Sequence, residues 1–174
     1  MSLLAEELVE EWLNRQGYFT IRGLKIGVHE MDILAIRYTP DVIERRHIEV
    51  QASVNPVSYI TKVPKEIQKE TGRKAGSAKI RDDEELRQGV REWIAKKFDY
   101  PEKQKMLQQL APGTWTRELV LHKVKHKEEK DMFIEEGITI HELSSIVSEL
   151  KNKNDFVIEG SSGTHLVELI NISI

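Results

Sequence analysis

The chain has 174 residues and a mass of 20.1 kDa, which predicts one domain with a sizeable core. Hydrophobic residues make up 39% and charged residues 32%, a composition typical of globular proteins rather than of disordered chains. No apolar run approaches the ~18 residues of a membrane span, and the first turns are acidic, unlike a secretory signal. We therefore expect a cytoplasmic protein without a membrane partner. The absence of cysteine excludes disulfides, thiolate metal sites and cysteine nucleophiles.

The net charge is −3, but the basic residues are not spread evenly. Segment 62–81 contains seven basic and two acidic residues, which gives it a local charge of +5. A basic patch within an acidic chain is compatible with a nucleic-acid site on one face, although charge alone favours a solvated loop. The basic residues of this segment are Lys62, Lys65, Lys69, Arg73, Lys74, Lys79 and Arg81.

The first third of the chain is predicted to contain one helix and three strands. Apolar residues recur at helical spacing from Leu4 to Leu13, and Gly17 ends this helix. Pro40 marks a hairpin turn between the last two strands. The predicted elements are a helix over 3–16, a short strand over 18–22, a turn bracketed by Gly23 and Gly27, and strands over 29–38 and 42–53.

The rest of the chain alternates predicted helices and strands after a polar loop. The hairpin followed by crossover units predicts an α/β fold built around a mixed sheet. The predicted elements are helices over 82–98 and 101–110, a strand over 118–125, a helix over 127–136, a strand over 138–141, a helix over 142–150 and a final strand over 164–172.

Two acids lie in the predicted hairpin. Asp32 begins the most apolar strand of the chain, where a carboxylate costs several kcal/mol unless it is neutralised. Glu49 lies in the partner strand, and strand alternation places it on the same face as Gln51. If the hairpin brings Asp32 and Glu49 together, a hard divalent cation would relieve their repulsion, and oxygen ligands select Mg²⁺, Mn²⁺ or Ca²⁺. The alternative is that both acids only form polar strand edges.

The residues around these acids resemble a known family. The motifs E-M-D-I-L-A-I over 30–36 and I-E-V-Q-A-S over 48–53 follow a helix that carries an acid near its start and ends in Gly-aromatic. This pattern resembles the core of the PD-(D/E)XK, restriction-endonuclease-like nucleases, in the style of Mrr-type nucleases and archaeal Holliday-junction resolvases. The resemblance implies a mixed central sheet flanked by helices. It also implies one nuclease-like domain over 1–174; the segment at about 61–115 does not match the family pattern, and we interpret it as a helical and basic insertion.

The resemblance also implies roles for individual residues. Asp32 and Glu49 would hold Mg²⁺ or Mn²⁺, with the carbonyl of Val50 as a further ligand. Glu6 of the first helix would complete the site, although Glu7 and Glu10 remain alternatives. Gln51 occupies the position of the family's catalytic lysine; a glutamine orients water by hydrogen bonds but carries no charge.

The function that the resemblance implies is a metal-dependent endonuclease that hydrolyses phosphodiester bonds in DNA. RNA remains open as a substrate, and so does the homodimer that is common among such folds. Gln51 supports an alternative function, a catalytically inactive nucleic-acid-binding or assembly module that retains the nuclease fold. In either case we expect nucleic acid to contact the basic residues of segment 62–81, together with three residues of the helix over 82–98: Arg87, Gln88 and Arg91.

Overall fold

The computed structural model describes residues 2–53, 57–152 and 156–172. None of the helices in these ranges is long and apolar enough to cross a membrane. The elements are, in chain order, α1 (Ser2–Arg15), β1 (Phe19–Ile26), β2 (His29–Tyr38), β3 (Ile43–Gln51), α2 (Lys65–Thr71), α3 (Asp83–Lys97), α4 (Pro101–Leu110), β4 (Thr116–Leu121), α5 (Glu128–Glu135), β5 (Thr139–Glu142), α6 (Leu143–Asn152) and α7 (Thr164–Ile172).

The five strands form one mixed sheet in the order β1-β2-β3-β4-β5. β2 pairs antiparallel with both β1 and β3, whereas β4 pairs parallel with both β3 and β5. This arrangement confirms the predicted α/β class with a mixed sheet flanked by helices.

The antiparallel pair of β2 and β3 places the two predicted acids at the same end of the hairpin. Ile33 lies opposite Ile48 in the last pair of this ladder. Asp32 precedes that pair on β2, and Glu49 follows it on β3. Both isoleucines are fully buried, and their burial sets the strand register, because a shift by one residue would move them to the other face.

Each face of the sheet carries its own buried cluster. Helices α1, α6 and α7 cover one face, whereas α3 and α5 cover the opposite face. Helix α4 packs its buried Leu107 against Met31 and Leu34 of β2. The first cluster includes Val9, Leu13, Ile33, Ile48 and Val120, and the second includes Val90, Ile94, Phe98, Leu119 and Phe133.

The connection from β3 to β4 carries much of the structure around the candidate site. Because these strands are parallel, the chain must cross from one end of the sheet to the other between them. This crossover contains α2, α3 and α4. Helix α3 buries Val90 and Ile94 in the cluster that it shares with β4 and α5.

The structure corrects the predicted elements at four places. Lys65–Thr71, within the predicted polar loop, forms the helix α2. Residues 164–172 form the helix α7, so the predicted final strand is wrong. Val167 and Ile170 follow helical spacing and pack with the cluster of α1 and α6, a period that the β-branched composition of the segment had obscured. Strand β1 continues through Gly23, which has a φ of +66°, and β4 already ends at Leu121.

Candidate functional site: a carboxylate pair at the end of the sheet

Asp32 and Glu49 are held at the end of the β2–β3 hairpin by buried contacts. Oδ2 of Asp32 accepts a hydrogen bond of 2.8 Å from the main-chain N–H of Val50, so the backbone of β3 fixes this carboxylate. The side chain of Glu49 is only 1% exposed, and that of Asp32 is 15% exposed. The Val50 side chain itself is buried on the α1 face of the sheet.

Lys97, the last residue of α3, lies between the two acids. Its Nζ contacts Oε2 of Glu49 and lies 4.0 Å from Oδ1 of Asp32. Sequence analysis missed this residue. Lys97 follows Val90 and Ile94 at spacings of seven and three, so it continues the buried stripe of α3. A lysine on the buried face of a helix is a detectable signal, because lysine is almost never buried without a partner.

A second lysine that sequence analysis missed, Lys103, lies behind Glu49. The side chain of Lys103 is 1% exposed, and its Nζ lies 3.4 Å from Oε1 of Glu49. The same ammonium donates to the carbonyl oxygens of Glu30 at 2.6 Å and Lys97 at 2.8 Å. His47 also meets Oε1 of Glu49 through Nε2, at 3.1 Å. Lys103 therefore joins the start of β2, the end of α3 and the glutamate of β3.

The environment shifts the pKa values of the two acids in opposite directions. Burial, followed by the charge of Glu49, raises the pKa of Asp32 to about 7, against the opposing effects of Lys97 and the Val50 N–H. Burial also acts to raise the pKa of Glu49, but the hydrogen bond with His47 and the charges of Lys97 and Lys103 outweigh it, so the pKa of Glu49 is lowered. Paired carboxyls with divergent pKa values are frequent in functional sites.

Of the glutamates in the first helix, the structure brings Glu6 to the pair. Glu6 is buried, and its charge contributes to the raised pKa of Asp32. Glu7 and Glu10 instead lie 3.5 and 3.4 Å from the guanidinium of Arg22 on β1. The choice of Glu6 among the three candidates therefore agrees with the placement of these side chains.

The side chain of Gln51 forms its hydrogen bond away from Asp32 and Glu49. Its amide Nε2 donates to the carbonyl oxygen of Ile60 at 2.7 Å. The N–H groups of Ile60 and Thr61 donate in turn to the carboxylate of Glu129, which is completely buried on α5. Gln51 thus anchors the start of the crossover segment to β3.

Some basic residues of segment 62–81 are exposed, whereas others form contacts within the chain. Arg81 is 5% exposed; its guanidinium lies 4.0 Å from the ring centroid of Tyr59 and donates to the carbonyl oxygen of Thr61 at 3.2 Å. Arg81 is thus buried and closes the loop internally, so it is not placed on the exposed surface where we predicted that it contacts nucleic acid. Arg73 forms an ion pair of 2.6 Å with Glu85. The exposed lysines are Lys62, Lys65, Lys69, Lys74 and Lys79.

The three predicted contacts on α3 all meet acidic residues of the same chain. Unlike Lys97, these three side chains do not lie at the carboxylate pair. The contacts are Arg87 with Glu135 at 2.7 Å, Arg91 with Glu136 at 3.0 Å, and Gln88 with Glu66 and Glu92 at 3.3 Å.

The donor set of the pair suits a hard, hydrated cation rather than a cage of protein ligands. Among residues 2–53, 57–152 and 156–172, no group of three or more His, Asp or Glu side chains is arranged to hold a metal ion. Mg²⁺, however, is usually bound by one or two carboxylates and keeps several waters. Asp32 and Glu49 supply two oxygens of that kind, both directed at one cationic group.

Comparisons with known proteins identify no family for this chain. No protein-family model matches the chain, and no curated protein matches it. The crystal structure of a protein of unknown function, AF1548, is similar with a TM-score of 0.44 and 13% sequence identity. The similarity covers 83% of this chain and 59% of the other, so this chain spans about three fifths of its neighbour's length.

Proposed function

We propose that the protein is a metal-dependent nuclease that hydrolyses phosphodiester bonds in DNA. The observation that carries this proposal is the convergence of Asp32 and Glu49 on the ammonium of Lys97 at the end of the sheet. Mg²⁺ or Mn²⁺ held by these two carboxylates would supply an activated water and neutralise charge on the phosphate.

In this proposal Lys97, Glu6 and Gln51 have three separate roles. Lys97 supplies the positive charge that Gln51 lacks, close enough to the acids to face a phosphate bound there. Glu6 adds negative charge beside Asp32 and thereby favours a cation at the pair. Gln51 acts at a distance, because its hydrogen bond to Ile60 holds the crossover segment that carries the exposed lysines. The location that we propose for this activity is the cytoplasm.

A second candidate is the catalytically inactive nucleic-acid-binding or assembly module. One observation favours it: Lys97 and Lys103 both contact Glu49, so the chain already neutralises this acid without a metal ion. In that case the lysines of segment 62–81 would still bind nucleic acid, and the carboxylate pair would serve the fold only.

A cleavage assay separates the two candidates. Plasmid, single-stranded and branched DNA, and RNA, are incubated with Mg²⁺ or Mn²⁺ and either the wild type or Asp32→Asn. Because a bound ion contributes several kcal/mol to transition-state stabilisation, we expect Asp32→Asn to lose about a hundredfold or more in rate. Asp99→Asn, an exposed acid paired with Arg117, is the matched control and should cut like the wild type. Absence of cleavage by a folded wild type that binds DNA would favour the inactive module.

A binding assay tests the basic segment without relying on catalysis. The change Lys69→Gln, Lys74→Gln and Lys79→Gln is made in the Asp32→Asn background, and DNA affinity is measured in EDTA at several salt concentrations. Since each phosphate contact contributes about 0.9 to the slope of log K against log salt, the slope should fall by about 2–3. The same three substitutions at the exposed Lys123, Lys125 and Lys127 are the control and should leave the slope unchanged.

A further inference from the structure

The four carboxylate oxygens of Asp32 and Glu49 are not equivalent. Oδ2 of Asp32 accepts the hydrogen bond from the Val50 N–H, and Oε1 of Glu49 faces His47 and Lys103. The two remaining oxygens, Oδ1 of Asp32 and Oε2 of Glu49, both face Nζ of Lys97. The pair therefore offers one place for a cation, and Lys97 fills it.

The two lysines at the pair are held very differently. The side chain of Lys103 is completely buried, and its ammonium donates hydrogen bonds to two main-chain carbonyl oxygens, so its role is structural. The side chain of Lys97 is 30% exposed, and within the described parts of the chain its ammonium contacts only the carboxylates of Asp32 and Glu49. The Lys97 ammonium can leave the pair by rotating its flexible side chain, with no main-chain hydrogen bond to break.

We infer that Lys97 is an internal competitor for the divalent cation. The pair binds either the ammonium of Lys97 or one divalent ion. The two cations compete for the same two oxygens, because a charge that occupies them repels a second charge brought to the same place. This inference rests on the proposed function, since the ion is the one that the nuclease would use. When Lys97 leaves the two oxygens, its charge becomes free to face the anionic backbone of the nucleic acid.

Removing Lys97 should strengthen metal binding. Removal of a lysine with a purely structural role would not have this effect. Binding of Mn²⁺ alone, without nucleic acid, is measured by calorimetry on the wild type, Lys97→Met and Asp32→Asn. We expect one ion per chain in the wild type and at least about tenfold tighter binding in Lys97→Met, a factor that corresponds to 1.4 kcal/mol. Asp32→Asn should bind Mn²⁺ about tenfold more weakly or not at all.

Lys96→Met is the matched control, because Lys96 is the exposed neighbour on the same helix. It should bind Mn²⁺ like the wild type, which excludes an effect of net charge alone. Thermal melting checks that each variant is folded. Lys97→Gln serves as a second variant, since it keeps a polar side chain but removes the charge, and it too should bind Mn²⁺ more tightly.

The outcomes separate this inference from the proposed function. Unchanged or weaker Mn²⁺ binding in the folded Lys97 variants would overturn the inference, and so would two ions per chain in the wild type. If, in addition, Asp32→Asn abolishes the binding seen in the wild type, the proposed function stands. Absence of Mn²⁺ binding in both the wild type and Lys97→Met would overturn both.

Discussion

Two buried charge clusters lie on opposite faces of the same sheet, and they are balanced in opposite ways. The first is the carboxylate pair of Asp32 and Glu49. The second, which we call the Arg46 cluster, consists of Arg46, Glu118 and His141. In the Arg46 cluster, both oxygens of Glu118 are bound by the guanidinium of Arg46, and His141 lies 2.7 Å from one of them.

The pKa values of Glu118 and Asp32 differ accordingly. Burial acts to raise the pKa of Glu118, but the hydrogen bonds from His141 and Arg46 outweigh it and lower the pKa to about 2. At the carboxylate pair, burial and a second acid raise the pKa of Asp32 to about 7. The Arg46 cluster is thus a closed ion pair, whereas Lys97, at 4.0 Å, compensates the carboxyl of Asp32 only in part. A divalent ion that replaces the ammonium of Lys97 would compensate this carboxyl more fully.

The largest expected effect is the loss of the closed cluster. Glu118→Gln leaves the guanidinium of Arg46 buried without its counter-ion, so we expect the free energy of unfolding to fall by about 3–5 kcal/mol. Urea denaturation at pH 7 measures this change. Glu142→Gln, which removes an exposed partner of Lys130, is the control and should cost about 0–1 kcal/mol. A small loss for Glu118→Gln would mean that the two clusters do not differ as described.

The second prediction concerns the incomplete compensation of Asp32 at the carboxylate pair. The folded protein holds the Asp32 proton up to about pH 7, whereas the unfolded chain releases it near pH 3.8. The contribution of Asp32 to stability should therefore fall as pH rises from 4 to 7, and Asp32→Asn should remove this contribution. Above pH 7, Asp32→Asn should be more stable than the wild type by up to about 4 kcal/mol, since one pKa unit corresponds to about 1.4 kcal/mol.

Urea denaturation of the wild type and Asp32→Asn across this pH range, without divalent ions, measures the predicted difference. Asp99→Asn, at an exposed acid, should follow the wild-type pH dependence. Parallel curves for Asp32→Asn and the wild type would show that Asp32 is as fully compensated as Glu118.

The smallest of the three effects concerns the structural lysine of the pair. Lys103→Met leaves the carbonyl oxygens of Glu30 and Lys97 without their donor. A buried acceptor without a partner costs about 1–3 kcal/mol, and the better packing of methionine offsets part of this, so we expect a net loss of about 2 kcal/mol. Lys105→Met, at an exposed position of the same helix, should change stability by less than about 0.5 kcal/mol. An equal effect of the two substitutions would contradict the role of Lys103.

Several features could be predicted from local sequence. The helical period of α1, the strands around Asp32 and Glu49, and the hairpin that joins them all follow from apolar spacing and turn residues. The apolar flanks of the two acids also determine the register, because Ile33 and Ile48 must both be buried. Local pattern failed at α7, because this segment is rich in residues that favour strands. Its helical conformation is stabilised by packing on α1 and α6.

The sequence by itself thus determined the α/β class, the pair of acids and the presence of a basic segment, because periodicity and local charge act over a few residues. Only the tertiary structure decided what surrounds the pair. Lys97 and Lys103 lie 48 and 54 residues beyond Glu49, and the packing of the crossover helices brings them to it. The same packing buried Arg81 and left five lysines exposed. Contacts at such separations depend on which helix faces can be buried together, and no local pattern contains that information.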